Sequence, residues 1–258
     1  MIKVVMLWSF SQQVMDHHDI TLPKSWFGKI MLAPAFLADH NISVFNTAVV
    51  ALMIFIFFFK RHYITTSIFF WLALNLYVVY LPFANGADML LLILAFWCIP
   101  MAKHPKFKSN TGSVIQKAAY NSGLFLCQLQ VVIIYFVSGW DKLVTRSWQS
   151  GQAFDYVVHF NSMFNPAFNG MFENPTIQFI LSWMTIIFEL AFVILVWWEQ
   201  TRIPILIIGL FFHLFIWIVV SLPDFASTMM VSYILFLKDA DLKYLKSFFS
   251  RQQTSLQQ

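Results

Sequence analysis

The chain has 258 residues, of which 59% are hydrophobic, 19% aromatic and only 11% charged, with a formal net charge of +4. That balance lies well outside the range of a soluble globular domain, and the small positive charge is no sign of a nucleic-acid partner. The 30 Phe and 10 Trp suit a lipid-facing surface and an interfacial belt, so the composition describes a polytopic membrane protein with membrane lipid as its surroundings.

Residues 1–15 contain an apolar stretch from Val4 to Phe10, too short to span alone, and read as a partial helix without the small-residue end of a cleavable signal peptide. From 16 to 42 the chain turns polar and aromatic, which predicts an extracytoplasmic or interfacial segment with a short amphipathic helix around 26–37. Residues 42–59 predict a first span closed by Lys60-Arg61-His62, and 63–83 a second closed by a turn at 84–88. A shorter third span covers 89–101, with Pro100 at its end and a basic run from Lys103 to Lys108 behind it. The fourth covers 118–138. The following region, 141–175, is rich in Phe, Asn and Trp, so it reads as packed, with an interfacial helix between 148 and 160. Spans five, six and seven are expected at 176–198, 203–221 and 225–237, ahead of a charged, Gln-rich tail.

The expected fold is thus all-α: a polytopic transmembrane helical bundle of six to seven spanning helices, plus short interfacial helices. Its parts are an N-terminal segment at 1–41, a transmembrane domain at 42–237 and a cytoplasmic tail at 238–258. Alternation puts Lys60, Arg61, the cations from Lys103 to Lys117, Arg202 and the tail on one side. Lys3, Lys24, Lys29, Lys142 and Arg146 fall on the other. The positive-inside preference therefore predicts a multi-pass protein of the cell membrane with the Lys142 loop extracytoplasmic and the C-terminus cytoplasmic.

The chemistry concentrates in the fourth span. Asn121, Gln128, Tyr135 and Lys142 recur every seven residues, so they fall near one helical face with a drift of about 20° per step. Such a stripe must face other helices or a cavity, because lipid leaves polar groups unpaired. Its bland reading is helix–helix adhesion with a snorkelling lysine. Glu189 and His213 lie inside later spans, where a charged group costs about 2.5–3.5 kcal/mol on insertion scales and needs a partner. A Glu–His or Glu–Trp hydrogen bond between helices would satisfy them. The alternative is a cavity that they line together with Lys142, roofed by Arg146, Trp148 and Tyr156. Cys98 and Cys127 both lie in apolar runs and read as small buried hydrophobes. No metal is expected, since His17 and His18 are adjacent and point apart on most backbones.

The run Tyr135-Phe136-Val137-Ser138-Gly139-Trp140-Asp141-Lys142-Leu143, followed by Trp148 and Gly151, resembles the signature of the horizontally transferred transmembrane (HTTM) superfamily. That superfamily includes the membrane domain of vitamin K-dependent gamma-carboxylase. Asn85-Gly86-x-Asp88, Phe188-Glu189-Leu190 and Phe212-His213 resemble further family motifs, and the likeness runs from about residue 42 to 237. Ile99-Pro100 and the membrane-only length are similar to the bacterial sporulation-delaying toxin maturation branch, the SdpB-like proteins.

The resemblance implies a catalytic role for Lys142 as the base that deprotonates a reduced quinone of the vitamin K type, with Glu189 and His213 in the same catalytic cavity. Gln128, Tyr135 and Trp148 are then expected to bind the cofactor. Asp141 stands where the carboxylase has a second lysine, and would favour the charged form of Lys142 unless it pairs with Arg146. The toxin-maturation branch implies a different role: a non-catalytic maturation or export factor for a small secreted peptide, working with a companion maturation protein. In that role Lys142 and Glu189 are packing or recognition groups.

Overall fold

Several helices begin where a polar side chain caps them, at His62, Asn85 and Asn174. In the computed structural model, which describes residues 41, 44–45, 47–49, 51–53, 62–80, 85–102, 110–159, 164–238 and 241, every regular element is a helix. The N-terminal partial helix, the segment from 16 to 40 with its amphipathic helix, and the tail beyond 241 lie outside the described residues. So does most of the expected first span, whose described residues, 44–45, 47–49 and 51–53, are helical.

The contacts divide the chain into two units, Met1–Val131 and Val132–Gln258. In the first, α1 (Tyr63–Val79) and α2 (Gly86–Met101) pack on one another. His62 caps α1 by accepting the Ile64 N–H, while Thr65 accepts the His62 N–H. Asn85 caps α2 in the same way: its side chain accepts the Ala87 N–H at 2.8 Å, and the Asp88 carboxylate accepts the Asn85 N–H at 2.8 Å. The turn signal at Asn85-Gly86-x-Asp88 is therefore a capping box, two donors of the helix start satisfied reciprocally. Both helices are apolar but shorter than the roughly 20 residues that cross a bilayer directly. The first part of α3 (Asn110–Val144) completes this unit. Cys127 on it is buried as expected, but Cys98 on α2 is exposed, because its face of the short helix is left uncovered.

The second unit holds the rest of α3, the short helices α4 (Arg146–Gln149), α5 (Ala153–His159) and α6 (Asn169–Phe172), then α7 (Pro175–Leu195), α8 (Glu199–Val219) and α9 (Pro223–Ser232). Among the described residues, three helices are long and apolar enough to cross a membrane: Val114–Val144 of α3, α7 and α8. At 35 residues α3 is about 52 Å long, well beyond a hydrocarbon core of about 30 Å. The expected seventh span is α-helical only through Ser232, and a 3-10 turn, Tyr233–Phe236, follows.

The aromatic stretch between α3 and α7 is packed, as its composition predicts. Phe154, Phe164 and Phe172 form a buried cluster with Val219 of α8, and Trp148, Leu181 and Phe215 pack against it. Asn165 ties the stretch to the end of α8 by donating its backbone N–H to Val219 and its side-chain amide to Ile218. Gly151 sits at φ +85°, with α7 so near that an added Cβ would lie 2.7 Å from the Phe179 nitrogen. Only glycine fits both demands.

At the opposite end of α8, buried Arg202 donates through one nitrogen to both carboxylate oxygens of Asp241, at 3.0 and 2.9 Å. Asp241 also accepts the Lys238 N–H at 2.9 Å. Its partial burial alone would raise the carboxyl's pKa, but the Lys238 and Arg202 hydrogen bonds and charges outweigh this and hold it below the ordinary value. A depressed acid contributes stability that is present above its unfolded-state pKa and lost as pH falls through the folded one. Thermal stability of the purified protein is expected to fall as pH drops through and below about 3.9. Asp241→Asn should remove that part of the pH dependence, as thermal unfolding in detergent would read out.

Candidate functional site

The last turns of α3 place Tyr135, Ser138, Gly139 and Lys142 against α7. The Lys142 ammonium lies 3.0 Å from each oxygen of the Glu189 carboxylate. It also donates to the Ser138 hydroxyl, which itself donates to Glu189 Oε1 at 3.2 Å. Trp148 covers the pair from α4, its ring centroid 5.0 Å from Lys142 Nζ, where the ring face attracts the cation. The two side chains are 15% and 8% exposed, so this is a largely dry ion pair.

Gly139 permits it. An added Cβ there would stand 3.1 Å from Glu189 Cβ and 3.0 Å from Leu190 Cδ2, tighter than ordinary contact. The missing side chain lets the two backbones close until lysine and carboxylate meet. Ser138-Gly139 is thus a donor and a gap placed side by side.

Two turns earlier on α3 a second buried polar cluster forms. Tyr135 Oη lies 2.6 Å from His213 Nε2 on α8 and is hydrogen-bonded to Tyr233 in the 3-10 turn. All three are almost fully buried, among Phe188, Phe192, Phe212 and Phe225. Gly209, one turn before His213, makes room for the Tyr233 phenol, which an added Cβ would overlap. His213 Nδ1 has no hydrogen-bond partner among the described residues.

A groove of about 260 Å³ runs beside both clusters, lined almost wholly by apolar side chains, among them Phe154, Phe188, Phe211, Phe212 and Phe215. Phe188 stands edge-on to Tyr135 at 5.7 Å, and Phe154 edge-on to Trp148 at 5.8 Å. One ring, Phe188, therefore separates the groove from Tyr135, and two, Phe154 and Trp148, separate it from Lys142.

The structure brings together Lys142 with Glu189, and Tyr135 with His213. The interhelical Glu189–His213 bond that burial alone suggests does not form, because each residue has a nearer partner on α3. Trp148 roofs Lys142, but Arg146 and Tyr156 are exposed and take no part. Asp141 is exposed and does not pair with Arg146; one residue from Lys142 on a helix, it points about 100° away. Gln128 is half-buried on the part of α3 that belongs to the first unit, and Asn121 is exposed. The drift of about 20° per heptad carries the start of the stripe off the buried face. Ser138, Gly209 and Tyr233 were not singled out as site residues in the sequence, although Ser138 stands in the run that carries the resemblance.

A profile described as the HTTM domain matches residues 42–240. The chain belongs to the HTTM family. No match was found among curated proteins or among solved structures. The apolar helices and the family together make this an integral membrane HTTM protein. Both polar clusters lie within the matched residues.

Tyr135→Phe in this HTTM protein removes both bonds of the inner cluster and leaves His213 Nε2 and Tyr233 Oη buried without partners. The expected cost is about 1–3 kcal/mol per abandoned group, read as a lower unfolding temperature in detergent. His213→Gln, whose amide reaches the Nε2 position, should retain more stability than His213→Asn, whose amide reaches only Nδ1.

Proposed function

We propose that the Lys142–Glu189 pair is the proton-handling centre of a membrane enzyme of the carboxylase-like type, acting on a reduced, lipid-soluble quinone. The observation that carries this reading is a buried lysine–carboxylate pair at the end of a long apolar helix, joined through the Trp148 and Phe154 rings to an apolar groove.

The residues suit such a ligand. The groove offers flat aromatic walls to an apolar ring, and the polar atoms nearby are few and directional, as in most small-molecule sites. Phe188, Phe212 and Phe154 would hold it, with Trp148 at the charged end. When bound, a reduced quinone supplies a hydroxyl proton and oxidisable electrons. Lys142 must first become an amine to take that proton. Glu189 is the acceptor already in place, 3.0 Å from Nζ, and moving the ammonium proton onto it neutralises both charges, which a low dielectric favours. Ser138 keeps the two groups in register through the exchange. Trp148 covers the pair and keeps bulk water out of the exchange.

In the arrangement we propose, six to seven segments cross the membrane, the Lys142 end of α3 is extracytoplasmic and the C-terminus is cytoplasmic. The distribution of Lys and Arg supports it. A cysteine introduced at Thr145 is expected to react with impermeant maleimide added outside intact cells. Labelling only after the membrane is breached would reverse the orientation.

A second reading has its own support. Lys142 is already saturated by Glu189 and Ser138, as a purely structural ion pair would be. The protein would then be a non-catalytic maturation or export factor for a small secreted peptide, acting with a companion maturation protein.

Lys142→Arg separates the two readings, because arginine keeps the charge but does not release a proton near neutral pH. The variant is expected to fold, insert and retain quinone extractable from the purified protein, yet to lose oxidation of added reduced quinone. Glu189→Gln should lose it as well. An Arg variant as active as the parent, or parent protein from which no quinone can be extracted, would move the maturation-factor reading to first place.

A further inference from the structure

The chain's two cysteines lie far from Lys142 in sequence, at Cys98 on α2 and Cys127 on α3. Their thiols share a hydrogen bond, although Cys127 is fully buried and Cys98 exposed. Packed helix axes usually stand 8–10 Å apart, too far for most cysteine pairs, since a disulfide needs Cα atoms about 4.4–6.8 Å apart. Gly123, one turn before Cys127, changes that. A Cβ added to it would lie 2.5 Å from Met101 Cγ and 3.0 Å from the Trp97 carbonyl oxygen, so the backbones of α2 and α3 approach beside the two thiols. Cys98 is three residues from the end of α2 at Met101, about 4.5 Å along the axis. It is therefore exposed near the end of α2, the side from which a small disulfide would approach.

We propose that Cys98 and Cys127 form a redox-active dithiol that closes reversibly to a disulfide joining α2 to α3, by exchange with a small aqueous disulfide. Exposure fixes the order of events. Cys98, as thiolate, attacks one sulfur of the partner; that S–S bond breaks, and one thiol leaves with the proton that Cys98 gave up. The Cys127 sulfur then attacks the Cys98 sulfur of the mixed disulfide. The second partner thiol leaves with the Cys127 proton. Two protein thiols are oxidised and one partner disulfide is reduced to two thiols, with no further oxidant. Cys127 is out of reach of the partner and serves only as the resolving thiol.

The experiment treats the full-length protein in detergent with oxidised glutathione, quenches in acid, alkylates residual thiols in denaturant and maps peptides by mass. Both thiols should disappear together, with the peptides containing Cys98 and Cys127 joined, and dithiothreitol should restore both. Cys127→Ser should accumulate glutathione on Cys98, and Cys98→Ser should leave Cys127 unmodified. Wild-type protein that stops at a stable glutathione adduct on Cys98, with Cys127 still alkylated, would overturn the proposal. So would a disulfide that joins two chains through Cys98. Gly123→Ala should slow closure by about tenfold or more, because the sulfurs no longer meet at bonding geometry. The first step, followed with Cys127→Ser present, should keep its rate; closure as fast as in the parent would show that the close approach plays no part.

Discussion

Burying Lys142 and Glu189 in an apolar bundle is the constraint from which the second unit follows. Each charge alone would cost several kcal/mol on leaving water, and the pair breaks even only if contact is close and the remaining hydrogen-bonding capacity is filled. Both conditions are met by neighbours in sequence. Gly139 removes the bulk that would hold the helices apart, and Ser138 supplies the extra hydrogen bonds. The ion pair also fixes register, since a slip of one residue would turn Lys142 by about 100°. With Lys142 set against α7, Tyr135 seven residues earlier comes to the same face and meets His213.

The same pair serves either reading of the protein, and its energetics explain why. A lysine and a carboxylate buried together can persist as an ion pair or as a neutral amine and acid, and the balance shifts with the dielectric around them. An apolar molecule in the groove would add low-dielectric material behind Phe154 and Trp148 and favour the neutral form.

How far the sequence revealed this site depended on whether a residue broke the apolar background. Lys142, Glu189 and His213 are visible because ionisable groups inside spans are costly, and Tyr135 because it continues a seven-residue period. The partners were not legible: periodicity places a residue on a face but does not say which helix lies opposite, so Glu189–His213 was as plausible as Glu189–Lys142. Tyr233 carried no signal, being one aromatic among 48 Phe, Trp and Tyr in the chain. The helical content and the packed aromatic region between α3 and α7 were legible from composition. The shortness of α2 was legible as well, and its start at Gly86, three residues before the expected 89, is set by the Asn85 cap within the turn that the sequence marks.

Hydrogen counting in the inner cluster explains the choice that periodicity left open. Tyr233, Tyr135 and a neutral His213 bring three hydrogens to two hydrogen bonds. If Nε2 donates to Tyr135, that phenol donates to Tyr233, the Tyr233 hydrogen has no acceptor, and bare Nδ1 has no donor. If Nε2 accepts, Tyr233 donates to Tyr135 and Tyr135 to His213, leaving only the Nδ1 hydrogen unmet. Each unmet buried group costs about 1–3 kcal/mol, so the accepting arrangement is preferred. It commits the imidazole's one lone pair to Tyr135. Glu189 then has nothing to gain from His213 that Lys142, reaching both carboxylate oxygens at once, does not supply better.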